Sequence, residues 1–154
     1  MEALLHHEVG THVLTFLNGR QQPLQQLHTG LADYDETQEG LAVLAEYLAG
    51  GLSRPRMRLL AGRVVAAHLL ENKATFVETF RMLLRYGFSQ SVAFAIAART
   101  FRGGGLTKDA VYLRGLIGVL DYLRAGGPLE PLYVGKLARH HVPIVQELQA
   151  RRIL

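Results

Sequence analysis

An all-α fold is predicted by three observations. Apolar residues recur at helical spacing along most of the chain. Helix starts and stops are written again and again as Ser/Thr/Asp caps and Gly breaks. No stretch shows the period-two alternation of a half-buried strand. At 154 residues, 49% of them hydrophobic, the chain is long enough to bury a proper core. We read residues 1–154 as one helical domain of about seven or eight helices, with a metal site between the first two.

The elements follow in order. Residues 2–17 read as a helix ended by Asn18-Gly19, a C-cap signature. Residues 20–34 read as a polar loop with Gly30 and no clear period, and His28 falls in it. Asp35 with Gln38 reads as an N-cap and its capping-box partner. The helix they open carries Leu41, Leu44, Ala45 and Leu48 on one stripe and stops at Gly50-Gly51. Ser53 caps the next helix, with Pro55 in its first turn; Met57, Leu60, Val64 and Ala67 share a face, and the adjacent His68 reads as a core histidine. Thr75 and Glu78 form a capping box for a helix to Tyr86, ended by Gly87. Ser89 caps a strongly apolar helix, Val92 to Phe101, expected in the core. Gly103-Gly104-Gly105 is a break. Thr107 caps a long helix to Arg124, closed by Gly126-Gly127-Pro128. Two shorter helices, near 129–138 and 141–151, finish the chain.

Composition narrows the function classes. There is no cysteine, which removes disulfides, thiolate metal sites and cysteine nucleophiles together. The formal charge of +4 is dispersed, with no basic block and little aromatic interleaving, so nucleic acid is not an expected partner. No apolar run is long enough for a membrane span, and the start Met1-Glu2-Ala3-Leu4-Leu5 has no signal-peptide pattern. A cytoplasmic location is expected.

The chemistry lies in His7-Glu8-Val9-Gly10-Thr11-His12. Two imidazoles flanking a carboxylate suit a zinc hydrolase: the histidines hold Zn2+, and the glutamate takes a proton from the attacking water. The usual spacing puts the histidines at i and i+4. Here the second comes at i+5. On a regular α-helix five residues turn the side chain by roughly 500°, about 140° off the first. Two ligands so disposed cannot share one ion. A π-bulge would return them to one face, and Gly10 offers a permissive backbone for it. Glu39, in the first turn of the next helix, is a suitable third ligand. Glu36 is read as favouring the helix dipole only.

HHEVGTHVLT (6–15), NGRQQPLQQL (18–27) and TQEGLAVLAEYL (37–48) together resemble the QEGLA-motif family, labelled as modulating flavohaemoglobin expression. That family is similar to the microtubule-associated tyrosine carboxypeptidases, zinc metallopeptidases that remove a C-terminal tyrosine from tubulin. Thr107-Lys108-Asp109-Ala110-Val111-Tyr112-Leu113 also looks like a family segment. The resemblance implies His7, His12 and Glu39 as zinc ligands and Glu8 as general base. Since members of that family are longer, the chain is expected to be a C-terminal catalytic fragment. Surface left bare by the missing part would favour a homo-oligomer.

Further candidates flank the glycine triplet. A carboxypeptidase must hold a free C-terminal carboxylate, which Arg102 and Lys108 are placed to do; Arg99 brackets the same break. Tyr112, one turn after Lys108, suits stabilisation of the charge that builds on the carbonyl oxygen. Asp109 is a candidate to fasten a histidine ligand. His6 points about 100° from His7 on a helix, and His140-His141 make a poor chelate. The expected function is a zinc-dependent peptidase, a carboxypeptidase acting on a peptide or protein C-terminus. The alternative is a non-enzymatic regulatory or interaction domain with a vestigial site.

Overall fold

A computed structural model describes residues 2–103 and 108–154. The described residues are helical, with no strand among them. Helix α1 (Glu2–His7), a π-helical segment (Glu8–Val13) and α2 (Leu14–Gln21) follow one another directly. Backbone angles at His7, Val13 and Leu14 are all right-handed helical, so the three make one rod. Then come α3 (Gln26–Thr29), α4 (Tyr34–Leu48), α5 (Arg54–Glu71), α6 (Phe76–Arg85), α7 (Gln90–Phe101) and α8 (Lys108–Arg124). Two 3-10 turns, Glu130–Tyr133 and Arg139–His141, lead into α9 (Val142–Ala150). No described helix is long and apolar enough to cross a membrane.

The chain divides into two compact units. The first comprises Met1–Leu52 and Arg114–Leu154. Its core contains Leu27, Leu41, Val43, Leu116, Val119, Leu132, Leu137, Val142 and Val145. Helix α4 is its most buried element: Thr37 to Leu44 are buried without interruption. Gly40, inside the QEGLA segment, explains part of this. A Cβ there would lie 2.3 Å from the Gly115 backbone, and a Cβ on Gly115 would lie 2.0 Å from the Glu36 carbonyl oxygen. Two glycines therefore let α4 and α8 touch backbone to backbone. By contrast the rod leaves Leu4, Leu5, Val9, Val13, Leu14 and Leu17 exposed.

The second unit, Ser53–Leu113, is built as its capping signals imply. The Ser53, Thr75 and Ser89 hydroxyls each accept a hydrogen bond from the backbone three residues on. Glu78 closes the capping box by accepting from the Thr75 N–H at 2.7 Å. Ala66, Leu83, Ala93, Ile96 and Ala97 form the core, with Leu59, Phe76, Phe80, Leu84 and Phe88 packed around it. The apolar helix α7 is central on one face only, since Phe94 is exposed.

Several sequence expectations need correction. Asn18-Gly19 does not end the first helix, which runs to Gln21. Gly19 is a packing glycine instead: a Cβ would meet the Leu27 carbonyl oxygen at 2.3 Å. The expected loop 20–34 contains α3, with His28 on it. Helix α4 begins at Tyr34, so Asp35 lies inside it; the N-cap is Asp33, left-handed and without a side-chain cap bond. Residues 129–138 make only the 3-10 turn. Their backbone is claimed elsewhere: Lys136 N–H donates to Leu27 O at 2.6 Å, and Lys136 O accepts from Leu31 at 3.0 Å. His68 is exposed rather than in the core, where its neighbours Ala66 and Ala67 fill the inward face. Gly104, Gly105 and the Thr107 cap lie outside the described residues.

Candidate metal centre

The i+5 spacing is met by the π-helical segment Glu8–Val13. Wider winding of about 4.4 residues per turn is what i→i+5 bonding implies, so five residues return close to the starting face. Gly10 is not left-handed, so its special freedom is not what permits the segment. His7 and His12 then lie side by side, ring centroids 5.2 Å apart and nearly perpendicular. Glu39, from α4, faces both. Its Oε2 is 3.6 Å from His7 Nε2 and 3.7 Å from His12 Nε2. One donor atom from each of the three lies within 4.8 Å of the others, and no other such group occurs among the described residues.

The surrounding polar groups orient these donors. His7 is buried, and its Nδ1 lies 2.7 Å from Glu46 Oε1. A carboxylate accepts, so His7 carries its proton on Nδ1 and turns the Nε2 lone pair toward Glu39. Gln38 Oε1 accepts from the Thr15 hydroxyl at 2.8 Å and lies 3.4 Å from His12 Nδ1. The Thr11 carbonyl, also 2.8 Å from the Thr15 hydroxyl, competes for its single proton. The hydrogen bond to Glu39 raises the His12 pKa, against the opposing effect of burial. Without a cation, a proton on His12 is favoured by that carboxylate, and a metal would compete for the same lone pair.

The donor set fits zinc. Ligand bonds of ~2.0–2.1 Å in a tetrahedron put donor atoms about 3.3–3.4 Å apart. The Glu39–histidine separations are a few tenths of an ångström wider. Two neutral imidazoles and one carboxylate, with both outer nitrogens fixed, are a usual three-ligand set that leaves a fourth position open. Glu8 lies beside it, exposed, with Oε1 3.9 Å from His7 Nε2.

Glu46 and Gln38 were missed by the sequence reading. Glu46 had a signal: it is seven residues after Glu39, two turns along the same face of one helix. Asp109 does not fasten a histidine. Its buried carboxylate accepts from Arg99 Nε at 2.7 Å. Nor is Glu36 only a dipole partner: it pairs with Arg114 and, at 2.8 Å, with Arg139. Burial works to raise its pKa, but the two guanidiniums outweigh that and hold it below the usual carboxylate range. His6 is exposed. The His140 and His141 rings lie 4.2 Å apart, tilted by 56°, and His141 Nδ1 accepts from the Ala138 N–H. Arg102 ends α7 and is exposed; Lys108 opens α8, exposed, and Tyr112 is half-buried one turn later.

Fold and site together define a helical domain with a candidate His–His–Glu metal centre on a π-distorted helix. The family model for microtubule-associated tyrosine carboxypeptidases matches residues 1–154, and the chain belongs to that family. Microtubule-associated tyrosine carboxypeptidase 1 of Mus musculus is 33% identical over 137 residues, covering 79% of this chain and 28% of the relative. The Homo sapiens protein of the same name is 31% identical over 136 residues, with the same coverage. The match thus spans little more than a quarter of these relatives' length. No solved structure matches the chain. At family level this is a carboxypeptidase-like domain.

Proposed function

We propose that the chain carries the zinc-dependent peptidase centre of a carboxypeptidase, acting on a peptide or protein C-terminus. The observation that carries this reading is the convergence of His7, His12 and Glu39 on one point through a π-helical segment. A π-helix is rare and recurs at functional sites. Here it serves to align two histidines that an α-helix would separate.

Bound by His7, His12 and Glu39, Zn2+ would polarise the scissile carbonyl and acidify water. The remaining work falls to the chain. Glu8 takes the proton of the attacking water and passes it to the leaving amine. Its exposed carboxylate, beside the buried histidine, is open to substrate. Glu46 and Gln38 hold the imidazoles in register. Tyr112 is proposed to steady the developing oxyanion, and Arg102 and Lys108 to hold the terminal carboxylate. A cytoplasmic setting accords with the absence of cysteine. Self-association through the bare apolar stripe of the rod is also proposed.

The test is metal content followed by turnover. Protein purified without added metal should hold one zinc per chain by elemental analysis, and a His7→Ala, His12→Ala variant should hold none. Zinc-free wild type, or zinc retained in the double variant, rejects the centre. A zinc-loaded protein that cleaves no C-terminal residue from any of a peptide library would instead favour a binding domain with an idle site.

A further inference from the structure

The start of α8 is a polar junction inside the second unit. Asp109 lies in the first turn of that helix, between Lys108 and Tyr112. Its carboxylate is buried, and Oδ1 accepts from Arg99 Nε at 2.7 Å. Arg99 belongs to the last turn of α7. One ion pair therefore ties the end of α7 to the start of α8. A second guanidinium stands in the field of this pair. Arg63 of α5 has a buried Nε with no hydrogen-bond partner among the described residues. Burial pushes Arg63 below its usual pKa, Arg99 adds to that effect, and Asp109 opposes it.

A carboxylate taken out of water persists only with a close, charged hydrogen bond. Arg99 supplies it, and the field of Arg63 favours the same charge. Without Asp109 the two guanidiniums would lose the anion that offsets their repulsion. The first turn of a helix is also its least secured part, since its backbone N–H groups lack intrahelical partners. Among the described residues 108–113, Asp109 and Val111 are the buried ones. Val111 contributes apolar packing, which is non-directional. The ion pair is directional. Tyr112 follows Asp109 by three residues, about 60° round the axis, so the tie at Asp109 holds the backbone that carries the phenol.

We infer that Arg99 and Asp109 are positioning residues for Tyr112, an inference that rests on the peptidase reading above, in which Tyr112 steadies the developing oxyanion. A donor to an oxyanion works only when it is fixed beforehand within hydrogen-bond reach, and a small misplacement is costly. Lys108 is a point charge on a flexible stem and tolerates a small shift of its backbone. The stiffer phenol does not. Breaking the pair should therefore lower kcat and leave KM nearly unchanged, the sign of a contact made only in the transition state.

The experiment is a double-variant cycle on the zinc-loaded chain, joined to a spectroscopic signature. Tyr112→Phe should lower kcat by about 100-fold, the scale of one oxyanion donor, with KM within about twofold. Asp109→Asn should reproduce most of that loss, and adding Tyr112→Phe to it should cost little more. Arg99→Lys, which keeps the charge, should recover part of the rate that Arg99→Gln loses. Additive losses, or a change in KM in place of kcat, overturn the inference. Wild-type kcat in Tyr112→Phe overturns it together with the oxyanion role, and leaves the peptidase reading standing. If the wild type cleaves no peptide, the peptidase reading fails, and carbon-13 tyrosine NMR judges the clamp. The chain has six tyrosines, and the Tyr112 signal is assigned by its loss in Tyr112→Phe. Asp109→Asn should shift and broaden that signal while the others stay in place. An unmoved Tyr112 signal overturns the inference. If all the signals collapse, the variant has unfolded, and Arg99→Lys decides: a shift confined to Tyr112 upholds the clamp, and no shift overturns it.

Discussion

Both units bury apolar cores, but the first buries far more polar side chains than the second. Along α4 and the rod, the first buries Thr11, Thr15, Thr37, Gln38, Glu39, Glu46 and His7. The α5–α7 region buries Leu60, Ala66, Leu83, Ala93, Ile96 and Ala97. Buried polar groups must be matched by partners, and unmatched ones are expensive. Glu46 with His7, and Thr15 and His12 with Gln38 Oε1, supply part of that matching, while Gln38 Nε2 stays buried without a partner among the described residues. The α5–α7 region relies on side-chain caps and apolar packing, which any ordinary helical domain has. Polar burial in α4 is therefore the mark of a site, and apolar burial in α5–α7 the mark of support.

Glu8→Gln should lower peptidase turnover by about two to four orders of magnitude while zinc stays bound. Equal turnover in the variant and wild type would remove Glu8 as the base. Next in size, Ile96→Ala in the apolar core should destabilise by about 2–5 kcal/mol in urea unfolding, without altering metal affinity. Loss of zinc in that variant would mean the two regions are not separable in role.

Glu46→Gln keeps shape but weakens the hold on His7. Metal affinity should fall about 10- to 100-fold by chelator competition, with smaller effect on stability than Ile96→Ala. An unchanged affinity would demote Glu46 to packing. Ser89→Ala removes the α7 cap and should cost about 1 kcal/mol, read by thermal unfolding of the metal-free protein.

The smallest effect is one of pH. Glu36 has a folded-state pKa below its unfolded one, set against burial by Arg139 and Arg114. Its contribution to stability is therefore present above the unfolded carboxylate pKa and lost as pH falls through the folded value. Glu36→Gln should show a shallower loss of stability between neutral pH and acid than wild type. Parallel pH profiles would show that the two ion pairs add nothing.

Much of the site was legible as sequence. The i+5 spacing of His7 and His12 demanded a distorted helix, because rotation per residue is fixed by backbone geometry. The π-helical segment is that distortion. Ser53, Thr75 and Ser89 were readable as caps because capping is local: the hydroxyl meets a backbone N–H three residues away. Apolar periodicity identified the helix of Leu60, the Thr75–Glu78 capping box that of Leu83, and the Ser89 cap with the apolar run from Val92 to Phe101 that of Ile96; together they placed the chain in the all-α class.

Contacts between distant segments were not legible, because spacing along the chain says nothing of what lies across it. Gly19 looked like a stop and is a point of close approach to Leu27. Residues 129–138 looked helical, but tertiary backbone bonds from Lys136 to Leu27 and Leu31 took their hydrogen-bonding groups. Asp109 looked free to serve a histidine and is taken by Arg99. The sequence by itself determined most of the helices, the Ser53, Thr75 and Ser89 caps and the two histidines' need for a π-turn, since each is a matter of local rotation and hydrogen bonding. Only the tertiary structure decided that Glu39 and Glu46 of α4 face those histidines, because helix packing sets which faces meet.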